Sequence, residues 1–199
     1  MRFIERIPKS VALLFWMTLL LGLAYPLAVT GIAQIAFPRQ ANGSLVRVDG
    51  EVRGSALLAQ KVESPRYFPA RPSATDYAYQ GSGATNLAAT NARLAQATAR
   101  NAEAWRTAIG KDLPLGAIPD EMLHASASGL DPDVSLEAAL ARVDGIAAAR
   151  GYTDAMKERL VMAIEKMAAE STVPIGPPRV NVTVLNAWLD GGPAMPESR

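Results

Sequence analysis

Between Lys9 and Arg39 the chain carries no charged residue, and from Val11 to Phe37 it is almost wholly apolar. A helix of that length measures on the order of 40 Å at 1.5 Å per residue, against about 30 Å for the hydrocarbon core of a bilayer. The segment can therefore cross a membrane with length left for tilt. The sequence after it is polar enough for water. A cleaved signal peptide has a shorter apolar stretch and a small-x-small cleavage site. Here the run is far longer, and Ala33-Gln34-Ile35-Ala36 matches such a site poorly. A buried core helix is usually much shorter. The expectation is a retained transmembrane helix over 11–37, a short N-terminus over 1–10 and one soluble domain.

The span has features that a lone anchor does not need. Pro26 lacks an N–H and is expected to kink the helix, a defect that neighbouring membrane helices can compensate. Trp16 and Tyr25 lie within the run, and Thr18, Thr30 and Gln34 add polar groups. Gly22, Ala24, Ala28 and Gly31 leave room for close helix contact. These suit packing against other membrane helices, although small residues are common in all such spans. Arg2, Arg6 and Lys9 precede the span against one acid, Glu5. Positive flanks stay on the cytoplasmic side, so the N-terminus is expected inside and the domain outside. The chain has no cysteine, so disulfides play no part in holding that domain together. Asn42-Gly43-Ser44 reads as a turn.

Roughly 160 residues follow the span, enough for one domain with its own core. The formal net charge is +1, which gives no bulk field pointing to nucleic acid. Gly54 to Val62 reads as a short buried strand. Pro65, Pro69 and Pro72 then impose an extended path over 64–74. Tyr77 to Asn86 reads as a flexible polar turn. Leu94, Ala97, Asn101, Trp105 and Ile109 recur at helical spacing, with Thr90 or Asn91 as cap. Leu136, Leu140, Val143 and Ile146 form a second stripe, opened by Asp133 or Ser135. Met156, Leu160, Ile164 and Met167 form a third, capped by Thr153. Val180 to Asn186 alternates like a strand, and 191–199 reads as a frayed tail. Strands at both ends with helices between imply an α+β domain over 38–190, a small sheet covered by helices.

Familiar catalytic constellations are missing from this sequence. One histidine, His124, and no cysteine cannot supply a zinc site of nitrogen and sulfur ligands, and a Ser-His-Asp triad would hang on that single residue. There is no Walker-type phosphate loop and no Asp-Lys-Thr-Gly, the aspartyl-phosphate signature of cation-pumping ATPases. Gly81-Ser82-Gly83-Ala84 could offer backbone amides to an anion, but such turns more often just reverse the chain. Asp131 precedes Pro132, where its carboxylate is expected to cap a new helix; no second carboxylate pairs with it at a fixed spacing. Tyr67, Phe68, Arg71, Tyr77 and Tyr79 sit on a proline-stiffened loop. There they suit a protein interface as well as they suit filling the core beneath it.

Several segments, in order, resemble the C subunit of Kdp-type high-affinity potassium-transporting ATPases. The span holds Tyr25-Pro26. Gly54-Ser55, Leu57-Leu58 and Gln60 are similar to the family's GSxLIGQ. Tyr67-Phe68 with Arg71-Pro72-Ser73-Ala74 is similar to YFxxRPSA. Ser82-Gly83-Ala84-Thr85-Asn86-Leu87 and Thr90-Asn91 are similar to SGGSNLxxTN. Ser126-Ala127-Ser128-Gly129-Leu130-Asp131-Pro132 is similar to SxSGLDP, and Val180-Asn181-Val182 with Leu185-Asn186 to VNVxxLN. Ala84 and Ala88 replace frequent glycines, and Ala84 weakens any anion nest at that turn.

The resemblance implies a non-catalytic accessory subunit of a potassium pump in the bacterial inner membrane. Its implied partners are a potassium-channel-like subunit, a P-type ATPase subunit and a small single-span subunit. Potassium is the ion moved by the whole. The implied role is to stabilise the assembly and raise the catalytic subunit's affinity for ATP, as a catalytic chaperone. No tightly bound cofactor is expected. With the domain outside, cytoplasmic ATP does not reach it, so any effect on nucleotide affinity passes through the membrane helices. Two other readings remain: an anchored hydrolase using Asp131 or His124, and an anchored module for a small ligand.

Overall fold

The computed structural model describes residues 7–171 and 176–191. Residues 1–6, which hold most of the charge used to orient the span, and all but the first residue of the expected tail lie outside these. The chain divides into two compact units, residues 1–44 and 45–199.

The first unit is dominated by one continuous helical rod, Ile7–Ala36, apolar and long enough to cross a membrane. It begins earlier than the expected boundary at residue 11 and ends one residue before Phe37. The rod is α-helical over Ile7–Leu19 (α1) and Tyr25–Ala36 (α2), with a wider π turn over Leu20–Ala24 between them. There the Tyr25 amide donates to the Leu20 carbonyl, five residues back. This answers the expected Pro26 kink. A proline has no N–H and its ring crowds the preceding turn, and a π turn accommodates both without ending the helix. Phe37 then breaks the rod, and a short turn, Pro38–Ala41 (α3), follows. The Asn42 amide donates to the Pro38 carbonyl at 2.6 Å and to Gln34 Oε1 at 3.1 Å, so Asn42 does form the turn its sequence suggests.

The second unit opens with a hairpin. Strands Leu45–Val48 (β1) and Glu51–Ser55 (β2) run antiparallel through a two-residue turn at Asp49-Gly50. Both turn residues have positive φ, 51° and 83°, which matches the right-handed twist of the strands. Gly54 faces Val46 and Val52 faces Arg47, so Arg53 is the extra residue of a bulge. The expected strand over 54–62 is therefore misplaced: the strand ends at Ser55 and turns away. Val46 and Val48 pack against Ala187 and Val184.

Four α-helices build the centre: Ala92–Ile109 (α4), Leu136–Ala141 (α6), Val143–Arg150 (α7) and Asp154–Glu170 (α8). Asp120–Leu123 (α5) is a single turn. The three expected caps act as caps: Asn91, Ser135 and Thr153 each accept an amide of the first turn. The second stripe is divided, because the helix is interrupted at Arg142 between α6 and α7. Leu160, Ile164 and Met167 are buried, but Met156 at the head of the third stripe is exposed. The first turn of α8 lies beyond the core that covers the rest.

Strands Asp133–Ser135 (β3) and Arg179–Asn181 (β4) pair antiparallel, Val134 opposite Val180. Among the described residues the sheet component is thus two separate two-stranded ladders, and the class is α+β. Two expectations change here. Residues 180–186 are not one strand: β4 ends at Asn181, whose side chain accepts from the Val184 amide and starts helix Val182–Leu189 (α9). Asp131 does not cap a helix, because β3 follows Pro132; its carboxylate accepts from the Asp133 amide instead. The core gathers Phe68, Trp105, Ile146, Leu160, Ile164, Val180 and Leu185.

Candidate functional site

The motif residues scattered along the sequence meet in one seam, where the loop of residues 56–91 lies against the loop of residues 125–133 and against α9. The strongest single fixture is Asn186. Its Oδ1 accepts from the Phe68 amide at 2.8 Å and its Nδ2 donates to the Phe68 carbonyl at 2.9 Å. A side-chain amide thereby replaces a ladder partner for an irregular segment, and the Phe68 ring goes fully into the core. Two partly buried hydrogen bonds of this kind stabilise by about 1 kcal/mol each, which decides the path of a loop that has no regular structure of its own.

Beside it, Tyr67 donates its hydroxyl to Asp190 at 2.8 Å. Arg150 pairs with the same carboxylate at 3.0 Å and donates to the carbonyls of Arg66 and Leu189. Its guanidinium also lies 4.8 Å from the centre of the Tyr67 ring, within cation–π range. Tyr67, Arg150 and Asp190 thus knot the loop, the end of α7 and the end of α9 together. Sequence reasoning found Tyr67 but missed Arg150 and Asp190, since neither belongs to a local pattern.

Arg71 reaches Asp131 at 3.0 Å, with both side chains mostly withdrawn from water. The Tyr77 hydroxyl donates to the Arg71 carbonyl at 2.9 Å. Burial, then the charge of Asp76, raise the Tyr77 hydroxyl above its usual value, so it remains a neutral donor. Ser73 Oγ accepts from the amides of Thr75 and Tyr77 and closes the turn. The carbonyl of Pro72 takes the Ser126 amide at 2.9 Å.

Ser82 and Gly83 both donate to the Ser128 carbonyl, at 3.0 and 2.9 Å. The expected flexible turn is therefore tied down at this point. Gly129 sits at φ +71°, and a Cβ there would fall 2.9 Å from the Gly83 carbonyl oxygen. Only glycine meets both demands, the left-handed backbone and the close approach. At Gly54 a Cβ would meet only the end of the Gln60 side chain, whose amide donates to Arg53 O.

Pro132 is buried and its carbonyl takes the Val182 amide. Asn181, besides capping α9, donates to Ala56 O and to Asp133 Oδ1, both at 2.8 Å. Burial raises the Asp133 carboxyl from its ordinary value, partly opposed by that Asn181 hydrogen bond. Ser126 is buried. Asn86 stands apart, exposed and with φ +50°, a conformation asparagine tolerates. Tyr79 is three-quarters exposed while Phe68 is buried, so the aromatics of the loop divide between core and surface. Gly22, Ala24, Ala28 and Gly31 are exposed along the rod.

His124 faces Asp120 at 3.4 Å and Thr98 at 3.5 Å on a partly exposed surface. Among the described residues no group of three or more His, Cys, Asp or Glu could hold a metal ion. What the seam does chemically is hold backbone. Most of its polar side chains are engaged with the domain's own amides, carbonyls and counter-charges.

A family model described as KdpC, the c chain of K+-transporting ATPase, matches residues 7–191. The chain belongs to the KdpC family. It is 44% identical over 182 residues to the potassium-transporting ATPase KdpC subunit of Pseudomonas entomophila, covering 91% of this chain and 92% of that protein. It is 46% identical over 187 residues to the KdpC subunit of Sorangium cellulosum, covering 92% and 95%. It is 45% identical over 174 residues to that of Methanosphaerula palustris, covering 87% and 90%. The match to the KdpC model takes in both the apolar rod and the seam, so the two units belong to one subunit architecture.

Proposed function

We propose that this chain is the non-catalytic accessory subunit of an ATP-driven potassium uptake complex. In this reading it stabilises the assembly and raises the ATP affinity of the P-type catalytic subunit. Its N-terminus is cytoplasmic, its rod spans the inner membrane and packs on the potassium-channel-like subunit, and its domain stands outside. Potassium is cargo of the assembly, and ATP is bound and hydrolysed by the partner.

The observation that carries the reading is the match to the KdpC model over residues 7–191. The seam supports it: side chains such as Asn181 and Asn186 fix loop backbone, as suits a rigid body that transmits position. Coupling to nucleotide affinity then runs through the assembly as an energetic link between distant sites.

The test is a complex assembled with and without this chain. Without it, growth at micromolar potassium is expected to stop, and the residual complex is expected to show a raised KM for ATP. Unaltered uptake and unaltered KM in its absence overturn the proposal.

A further inference from the structure

Arg142, at the break between α6 and α7, is the one charged residue of the domain that is buried among the described residues. It is 5% exposed, yet its Nε and Nη1 are buried with no hydrogen-bond partner among the described residues. Its guanidinium lies 5.9 Å from the centre of the Trp105 ring. A ring face at that distance offsets a small part of the cost of burying an unpaired cation. Trp105 Nε1 is also buried without an acceptor. These neighbouring orphan atoms are all donors, so what they lack is an acceptor.

Both residues line one open cleft, of about 440 Å³, between the proline loop and α4. That lies within the range of about 300–1,000 Å³ in which small organic groups are held. Tyr77, Met122 and Pro72 add apolar wall. Among the described residues, the only charged lining residue besides Arg142 is Glu63, an exposed rim carboxylate paired with Lys61. One buried cation with an acidic rim suits a group of single negative charge. A polyphosphate would bring several charges to one counter-ion and meet Glu63 as well.

We propose that this cleft binds a carboxylate carried on a flat apolar body. The carboxylate pairs with Arg142 once its guanidinium turns toward the cleft, since its orphan donors are closed to solvent as they stand. The apolar body lies against the rings of Trp105 and Tyr77. A free aromatic acid and the terminal carboxylate of another polypeptide offer this same chemistry.

The test is calorimetric titration of the full chain in detergent micelles with benzoate, benzamide and inorganic phosphate. Benzoate is expected to bind, with benzamide at least tenfold weaker and phosphate unable to compete. Arg142→Met is expected to weaken benzoate at least tenfold. Ala104→Phe fills the cleft from the exposed face of α4 without altering the arginine, and is expected to do the same at unchanged Tm. It carries the test should Arg142→Met not fold.

Repeating the titration on the assembled complex separates the two sources. Retained benzoate binding indicates a free acid, whereas binding lost on assembly and regained on release indicates a partner's carboxylate. No benzoate binding to the isolated chain at millimolar concentration overturns the proposal. Equal binding of benzoate and benzamide, or parental binding in Arg142→Met or Ala104→Phe, overturns it too.

Discussion

Single side chains in this domain act mainly on backbone, and Asp133 shows what that costs. It lies in β3, partly buried, and accepts the Asn181 amide at 2.8 Å. Burial disfavours its ionised form more than the amide favours it, so its folded value is raised. The folded state therefore holds this proton more tightly than the unfolded chain does. Its contribution is favourable at low pH and is lost as pH climbs from the unfolded value through the raised one. Asp133→Asn removes the charge and keeps an acceptor for Asn181. The variant is expected to gain on the parent as pH rises through the carboxylate range. The stability difference between the two, followed by urea unfolding in micelles across that range, checks it. A difference that stays flat or falls with pH contradicts the assignment.

Among elements, α7 comes close to the backbone of α4. A Cβ at Gly145 would sit 2.9 Å from the Ala108 carbonyl oxygen, in backbone that cannot turn aside. Gly145→Ala should therefore destabilise the domain by about 1–3 kcal/mol, despite alanine's better helix propensity. A fall in the urea midpoint with unchanged slope is the expected reading. Asn91, Ser135 and Thr153 were legible as caps because capping is local. The hairpin is marked only by Asp49-Gly50, a turn signal between the short strands Leu45–Val48 and Glu51–Ser55. In 180–189 two periods overlap: Val180, Val182 and Val184 alternate, while Val182, Leu185 and Leu189 keep helical spacing. β-branched residues favour the strand reading, and the Asn181 cap with packing on Val46 and Val48 settles it as helix. The clamp of Asn186 on Phe68 joins residues 118 apart in sequence, which no local pattern encodes. Arg142, read alone, is an ordinary helix arginine.

For the molecule as a whole, orientation follows from the proposed function. The sequence contains no cysteine, so Glu158→Cys, on the exposed side of α8, gives a unique thiol. Intact cells treated with a membrane-impermeant maleimide are expected to label it, whereas a thiol introduced at Lys9 should react only after permeabilisation. The reverse pattern would place the domain in the cytoplasm. Family membership, the apolar rod and the α+β class were all readable from the chain. The seam's pairings were not, since Arg150 and Asp190 carry no mark of their partners.

The fixtures supplied by residues 179–190 bear on how the protein is made. Val180 completes the second ladder, Asn181 grips Ala56 O, Thr183 grips Leu58 O and Asn186 grips Phe68. A ribosome that has not yet passed Asp190 therefore presents a nascent domain whose segment 56–68 lacks the fixtures at Ala56, Leu58 and Phe68. Closure of that early segment waits on residues made more than a hundred positions later, so a chain cut short before Asn181 is expected to leave it unfastened.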